Sequence, residues 1–386
     1  MSPAPFSVIF VGAGEINFGS PEGPWNHSLR LERAHGEGLQ VLGLIDPALA
    51  RAQEQIDLKV SAGVPGYAKA ATWATPDDAA AALGPDAVID LVIVGAPPHF
   101  RGCVAPPADL DLRLLKALPK TKRWLVEKPV SAAPPTEVAG QREVLKAYSQ
   151  QGGVVAAGYM MCSLQGIKKI QRIIEERNLT VMGTAARYYM AYEWARKPAW
   201  WNKKISCGPI VEQATHLASL SLLFGGSASL PSVRTHTVEY DEAPGKLSKL
   251  QFDEEATVPA DSRIPRYTSS VWKYDGGAVG SLTHVVGLHG ATYQTEFEVI
   301  CDGITFKLFD MYTSSPKLII FDSGVSSEVK LETFKDDDPF QTQIDALIAG
   351  TPNCTFEQAL QTYELTWAIR EAGERERAEE KEVEAK

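Results

Sequence analysis

An N-terminal doubly wound α/β Rossmann domain followed by an α+β domain with a large, mostly antiparallel open sheet is the fold this 386-residue sequence predicts. Three observations carry that expectation. The first half alternates short apolar runs with helix-like stretches, the pattern of βαβ units around a parallel sheet. The first apolar run, Phe6 to Val11, leads directly into a glycine turn. Beyond about residue 158 the alternation gives way to many strand-like runs separated by turn residues, which suggests an antiparallel sheet.

In order, buried strands are expected at Phe6 to Val11, Leu39 to Ile45, Val88 to Val94, Arg123 to Val126 and Val154 to Ala157. Helices long or periodic enough to connect them fall at Ser28 to His35, Ala48 to Lys59, Pro76 to Leu83, Leu110 to Leu118 and Thr136 to Ser149. The second domain begins with one or two helices. Strand runs follow at Thr184 to Tyr192, Val233 to Tyr240, Thr268 to Tyr274, Ala278 to His284, Thr295 to Cys301, Thr305 to Phe309 and Lys317 to Phe321. Two helices, near Pro339 to Ile348 and Phe356 to Ala372, close it. Glu371 to Lys386 carries seven acids against four bases, and either extends the last helix into solvent or frays. The expected domains are 1–157, 158–372 and a charged tail at 373–386.

Composition narrows the function. The chain is 44% hydrophobic and 22% charged, an ordinary globular balance. With 38 Lys and Arg against 48 Asp and Glu, the formal charge is −10, and no basic cluster is present to neutralise phosphates, so nucleic-acid binding is not expected. No apolar run approaches the roughly 20 residues that span a bilayer. Met1 to Phe10 lacks the basic start and small-residue cleavage site of a signal peptide. Five cysteines, at 103, 162, 207, 301 and 354, are scattered singly without the close pairs that zinc or redox centres use. No metal site is expected, and a reducing, cytoplasmic compartment is.

Strand one runs into Gly12-Ala13-Gly14-Glu15-Ile16-Asn17-Phe18-Gly19. Glycines at a strand end permit a sharp turn and let a pyrophosphate approach peptide N–H groups. Asp46 ends the second strand, where a carboxylate accepts ribose hydroxyls and repels a 2′-phosphate; this favours NAD, while Arg51 nearby keeps NADP open. Asn17 stands where a third glycine is usual. Ser20-Pro21-Glu22-Gly23-Pro24-Trp25 cannot continue a helix, so the next helix is expected near Asn26, a good N-cap.

The fourth strand ends in Glu127-Lys128-Pro129. Ligands of open α/β sheets sit at the carboxyl ends of strands, so Lys128 is either an ammonium that stabilises a substrate oxygen or a surface lysine on a loop. Gly95-Ala96-Pro97-Pro98-His99 after the third strand forms a rigid turn suited to border a nicotinamide ribose, with His99 a ligand contact or a packing residue. Downstream, Gly208-Pro209 opens a helix expected to run to Phe224, with Glu212 and His216 four apart on one face. A histidine near neutral pKa can exchange a hydroxyl proton while a neighbouring carboxylate orients it; an ordinary exposed Glu/His pair is the alternative. Lys197-Pro198-Ala199-Trp200-Trp201-Asn202-Lys203 interleaves aromatics and bases, offering an indole to a small ligand or packing between domains.

Gly12-Ala13-Gly14, Glu127-Lys128-Pro129 and the Glu212/His216 pair, in this order and spacing, resemble the Gfo/Idh/MocA oxidoreductase family. The segments from Gly19 to His27 and from Lys197 to Lys203 are further similar to a fungal branch of it. The resemblance implies NAD(P)-dependent oxidation or reduction of a sugar, polyol or related alcohol, with Lys128 and His216 as the catalytic pair and the open sheet as a homo-oligomer interface. Candidate catalytic residues are thus Lys128, His216 and Glu212. Candidate cofactor contacts are Gly12, Gly14, Glu15, Ile16, Asn17, Asp46, Ala96, Pro97, His99, Glu127 and Lys128. Candidate substrate contacts are Tyr159, Tyr189, Trp200, Trp201 and Lys203.

Two departures qualify the match. Where the fungal branch has an arginine shortly after Gly158-Tyr159-Met160, this chain reads Met161-Cys162-Ser163, and Ser219 replaces an aspartate three residues after the histidine. A less polar substrate is one explanation. A non-redox lyase, isomerase or cyclase, or a cofactor-sensing regulator on the same scaffold, is the alternative function.

Overall fold

The computed structural model describes all residues except 1–4, 22, 135, 137–138, 193–200, 249–252, 291–292, 325–328 and 385–386. The chain divides into two compact units, Met1–Gly158 with Phe340–Ala359, and Tyr159–Pro339 with Leu360–Lys386.

In the first unit six strands, β1 (Phe6–Val11), β2 (Leu39–Ile45), β3 (Ala71–Trp73), β4 (Leu91–Val94), β5 (Arg123–Val126) and β6 (Val154–Ala157), form one parallel sheet in the order β3-β2-β1-β4-β5-β6. The order reverses between β1 and β4, so the ends of β1, β2, β4 and β5 meet at the switch point where doubly wound sheets bind ligands. Helices α1 (Glu15–Phe18), α2 (His27–His35), α3 (Leu49–Ser61), α4 (Pro76–Leu83), α5 (Leu110–Ala117) and α6 (Ala139–Gln150) connect them. Local chemistry sets the helix starts. Asn26 caps α2 by accepting from the Leu29 N–H at 2.9 Å, as its sequence position predicts. Thr75 and Asp78 close a capping box on α4, with Pro76 in the first turn.

The strands are continuous apolar runs because helices cover both faces: Val8, Phe10, Leu44, Leu91, Ile93 and Leu125 are fully buried with Leu31 and Ala52. Each such valine, leucine, isoleucine or phenylalanine contributes about 1.5–3 kcal/mol by burial. Ile344 and Leu347 enter the same core, Arg123 Nε donates to Ile348 O at 3.1 Å, and Ala157 N–H donates to Cys354 O at 3.0 Å. These contacts return Phe340–Ala359 to the first unit, which corrects the expectation of one uninterrupted domain over 158–372. The third expected strand, Val88 to Val94, shortens to β4, with Ile89 making only an isolated bridge to Thr121.

The second unit holds α7 (Gln165–Glu176), α8 (Lys203–Ser206), α9 (Gly208–Glu212), α10 (Thr215–Gly225) and an eight-stranded sheet. Its strands are β7 (Val181–Ala191), β8 (Arg234–Val238), β9 (Tyr267–Lys273), β10 (Val279–Leu288), β11 (Tyr293–Cys301), β12 (Ile304–Phe309), β13 (Lys317–Asp322) and β14 (Val329–Thr333), in the order β14-β13-β12-β11-β7-β10-β9-β8. The sheet is mixed rather than wholly antiparallel, because β7 and β10 pair in parallel. Two closing helices follow, α11 (Pro339–Ile348) and α12 (Phe356–Glu384). Most of the charged tail is therefore the final turns of α12, which its alanines and long charged side chains favour.

Register fixes the two faces of the sheet. Tyr188 pairs with His284 and Thr295, all buried, while Tyr189 pairs with Val285 and Gln294, and Val285 with Tyr267. Alternation therefore puts Tyr188 on the covered face and Tyr189 in a row with Val285 and Tyr267 on the other. The single face expected for Glu212 and His216 is also corrected. The helix breaks at Gln213 and Ala214, where the N–H groups of both bond to Pro209 O, so α9 and α10 are separate.

Candidate active site

In the first unit Gly12 has φ +89°, and a Cβ there would stand 3.1 Å from Ala96 N, so the crossing of β1 past the β4 turn requires glycine. Among the described residues, no atom beyond its chain neighbours stands within 4 Å of where a Gly14 Cβ would be, leaving the open approach that a pyrophosphate needs. Asp46 is buried at the end of β2. Its Oδ2 accepts from the Ala13 N–H and from Arg51 Nη2, both at 2.7 Å, and its Oδ1 from the Ala48 N–H at 2.8 Å. Burial works to raise its pKa, yet the bonds from Ala13, Arg51 and Ala48 outweigh it and hold the carboxyl below its ordinary value. The glycine turn and an ionised Asp46 thus fit an adenine dinucleotide.

Asn17 is fully buried, contrary to its expected place among cofactor contacts, and its amide donates to Gly12 O at 2.7 Å and Val11 O at 3.3 Å. It clamps the turn from below where a third glycine would have let the helix come closer. Glu15 is exposed, and Ile16 and Gly14 are half-buried at the start of α1. Ala96 is buried and its carbonyl accepts from the buried Arg101 Nε at 2.8 Å, which fixes the turn that Pro97 continues. His99 is exposed and lies 4.1 Å from the Phe100 ring; partial burial, then Arg101, lower its pKa.

At the end of β5, Glu127 is buried and Lys128 half-buried. The Glu127 carboxylate meets His27 Nε2 at 2.7 Å through Oε1 and accepts from the Lys128 N–H at 3.2 Å through Oε2. Sequence reasoning gave no role to His27, Arg101 or Asp111. Asp111 accepts from the Gly102 N–H at 2.7 Å and the Tyr148 hydroxyl at 2.9 Å, tying the loop after β4 to α5 and α6. A signal for His27 existed in its position directly after an N-cap that follows two prolines.

In the second unit His216 is buried on the first turn of α10, with Tyr159 edge-on at 5.8 Å and Tyr312 at 6.4 Å between ring centres. Tyr159 is itself buried, its hydroxyl 2.9 Å from Thr215 Oγ1, so it supports the histidine from behind. Tyr188, Tyr293 and Tyr312 form a cluster with centroids 5.8–5.9 Å apart, and His284 stacks on Tyr188 at 5.1 Å. Burial, then the neighbouring phenols and the Glu212 charge, raise the Tyr188 pKa well above its ordinary value. Glu212 is therefore felt by the tyrosine cluster, a placement that the continuous-helix expectation did not foresee.

Three substrate candidates land elsewhere. Tyr189 lies on the sheet face opposite Tyr188, one residue out of phase. Trp201 is buried against Tyr192 at 4.7 Å, with the Arg266 guanidinium 5.6 Å from its ring, and is a packing residue. Lys203 pairs with Glu374 at 3.2 Å and lines a pocket with Cys207, Arg370 and Glu374. Trp200 lies outside the described residues. All five cysteines are buried thiols outside any disulfide, and among the described residues no cluster of metal ligands and no membrane-length apolar helix is found.

These features define an oxidoreductase with an NAD(P)-binding Rossmann domain. Residues 6–159 match the oxidoreductase family with an NAD-binding Rossmann fold, and residues 162–304 an oxidoreductase C-terminal domain. The chain belongs to the Gfo/Idh/MocA oxidoreductase family. It is 34% identical over 375 residues to one uncharacterized protein of Schizosaccharomyces pombe, with 94% of this chain and 96% of that one covered. It is 37% identical over 379 residues to a second, covering 95% and 91%. Among solved structures it is similar to a levoglucosan dehydrogenase in complex with NADH and L-sorbose, at TM-score 0.69 and 15% identity, covering 96% and 97% of the chains. It is also similar to the UDP-N-acetylglucosamine 3-dehydrogenase of Acidithiobacillus ferrooxidans, at TM-score 0.65 and 13% identity, covering 95% and 97%.

Proposed function

We propose that this chain transfers hydride between a nicotinamide cofactor and a secondary alcohol or ketone of a small molecule, a sugar, a polyol or a less polar metabolite. The observation that carries the reading is the ionised Asp46 bound to the Ala13 N–H of an open glycine turn. NAD is the preferred cofactor, held by Gly12, Gly14 and Asp46 and bordered by Ala96 and Pro97. Because Arg51 covers Asp46 and its own side chain is half-exposed, a ribose diol reaches the carboxylate as Arg51 turns outward, and a 2′-phosphate would find Arg51 instead. The bound nicotinamide supplies or takes up the hydride.

Lys128 donates to the substrate oxygen and stabilises negative charge on it. His216 takes or gives the hydroxyl proton. Tyr188, Tyr293 and Tyr312 offer ring faces and hydroxyls beside His216, suited to a molecule with apolar C–H faces and polar edges. Burial first, and the Glu212 charge to a lesser degree, raise the pKa of the Tyr188 and Tyr312 phenols and keep them protonated. The sheet face that carries Tyr267, Val271, Val279 and Phe321, each more than a third exposed, is the proposed homo-oligomer interface, which sedimentation equilibrium of the purified chain tests.

Calorimetric titration with NAD and NADP in both oxidation states, followed by a screen of alcohols and ketones, tests the reaction. Lys128→Met and His216→Ala are each expected to lower turnover by about 10²–10⁴-fold. Full turnover in both variants would remove the pair from the mechanism, and absence of any nucleotide binding would favour the non-redox catalyst.

A further inference from the structure

We propose that His27 is a positioning residue for Lys128, acting through Glu127, and that the proline-broken segment after the glycine turn exists to deliver it. The inference rests on the reading above that Lys128 meets the substrate.

The Asn26 side chain joins the end of α1 to the start of α2. Asn26 Nδ2 donates to Phe18 O at 3.2 Å, while its Oδ1 accepts from the Leu29 N–H at 2.9 Å and from Ser28 Oγ at 2.8 Å. Gly19, at φ +112°, has no room for a Cβ, which would stand 2.9 Å from Asn26 Nδ2. The first residue of α2 is thereby set in place, and it is His27, with no solvent exposure. The Phe340 ring packs edge-on against the imidazole at 5.9 Å and is itself covered by the Arg30 guanidinium at 4.6 Å.

A carboxylate can only accept, so His27 Nε2 carries the proton it shares with Glu127 Oε1 at 2.7 Å. The other carboxylate oxygen takes the Lys128 N–H, so the Glu127 side chain folds back over its own peptide. Gly158 shuts the slot from the far side, since a Cβ there would lie 2.5 Å from Oε2. The Glu127 backbone is held separately by its bond to Val94 O at 3.0 Å. The peptide entering Lys128 is held by the Glu127 carboxylate, which the His27 imidazole anchors. A buried carboxylate deprived of one partner must reorient toward another donor, because leaving it unpaired is costly. Loss of His27 is therefore transmitted to Lys128.

The test compares wild type with His27→Leu, His27→Gln and Glu127→Gln. Lys128 is labelled competitively with trace isotopic acetic anhydride at fixed pH and its acetylation rate read by mass spectrometry relative to other lysines. Thermal unfolding establishes that each variant is folded. His27→Leu is expected to change the Lys128 rate at least threefold, and His27→Gln, which can still donate to Oε1, to return it to within about 1.5-fold. Glu127→Gln, which cannot accept the Lys128 N–H at its amide nitrogen, is expected to change it also. A folded His27→Leu with the wild-type Lys128 rate would make His27 a packing residue only. If that variant does not fold, an unchanged rate in Glu127→Gln overturns the proposal in its place. Nucleotide titration of wild type is read separately, so an altered Lys128 rate in a chain that binds no nucleotide would sink the proposed reaction and leave the positioning role standing.

Discussion

Cys162 Sγ lies 3.4 Å from Ser219 Oγ with both side chains buried, so the two places where this chain departs from the fungal pattern touch each other. An arginine near the first and an aspartate at the second would be partners across the same contact. In this chain the contact joins a thiol and a hydroxyl, so neither side buries a charge there.

Restoring the charges one at a time tests that coupling. Cys162→Arg and Ser219→Asp are each expected to destabilise the chain by about 3–5 kcal/mol, because each buries a lone charge. The double variant is expected to recover at least about 2 kcal/mol of the summed loss. Urea unfolding of all four proteins reads the interaction directly, and additive losses would mean that the two positions are independent.

Asp46 and Arg51 make opposite predictions for the two cofactors. Asp46→Ala removes an ionised acceptor at the end of β2 and is expected to weaken NAD binding roughly 10- to 100-fold. Arg51→Ala uncovers Asp46 and is expected to leave NAD binding equal or tighter while weakening NADP. Calorimetry with both nucleotides separates these outcomes, and equal losses for NAD and NADP in Arg51→Ala would contradict the selectivity role.

The buried group under Trp201 is structural. Glu255 bonds to the Arg266 guanidinium at 2.9 Å and to the Tyr192 hydroxyl at 2.6 Å, and Arg266 lies over the rings of Tyr192 and Trp201. Arg266→Leu strands the Glu255 carboxylate and is expected to cost about 3–5 kcal/mol in urea unfolding, with cofactor affinity in the folded fraction unchanged. A stable Arg266→Leu protein would show that this ion pair carries little of the fold.

What could be read from residues alone follows the range of the forces involved. The parallel strands were legible because each is a continuous apolar run, and the start of α2 because Asn26 caps it locally. The return of Phe340–Ala359 to the first unit was not, since Ile344 and Leu347 reach a core built from Val8 to Ala156, far earlier in the chain. Which face Tyr189 lies on was not legible, because a strand alternates its faces at every residue and only the pairing of β7 with β10 and β11 fixes the phase. The break at Gln213 is set by tertiary contact rather than by glycine or proline. His284 Nε2 bonds to Gln213 Oε1 at 3.0 Å from β10, across the sheet from any local signal.

That same bond makes a prediction about pH. His284 is buried, stacked on Tyr188, and burial pushes its pKa from 6.5 down to about 3. The unfolded chain therefore binds a proton below pH 6.5 that the folded chain refuses until pH 3. The histidine makes no such demand above 6.5, and stability falls as the pH drops from 6.5 toward 3, by at most about 1.4 kcal/mol per pH unit from this group. His284→Asn removes the group, so the slope of unfolding free energy against pH between 6 and 5 is expected to be shallower than wild type by about one proton. Urea unfolding at three or four pH values measures both slopes. Equal slopes would mean that His284 accepts a proton at Nδ1 in the folded state, since Nε2 already donates to Gln213 Oε1.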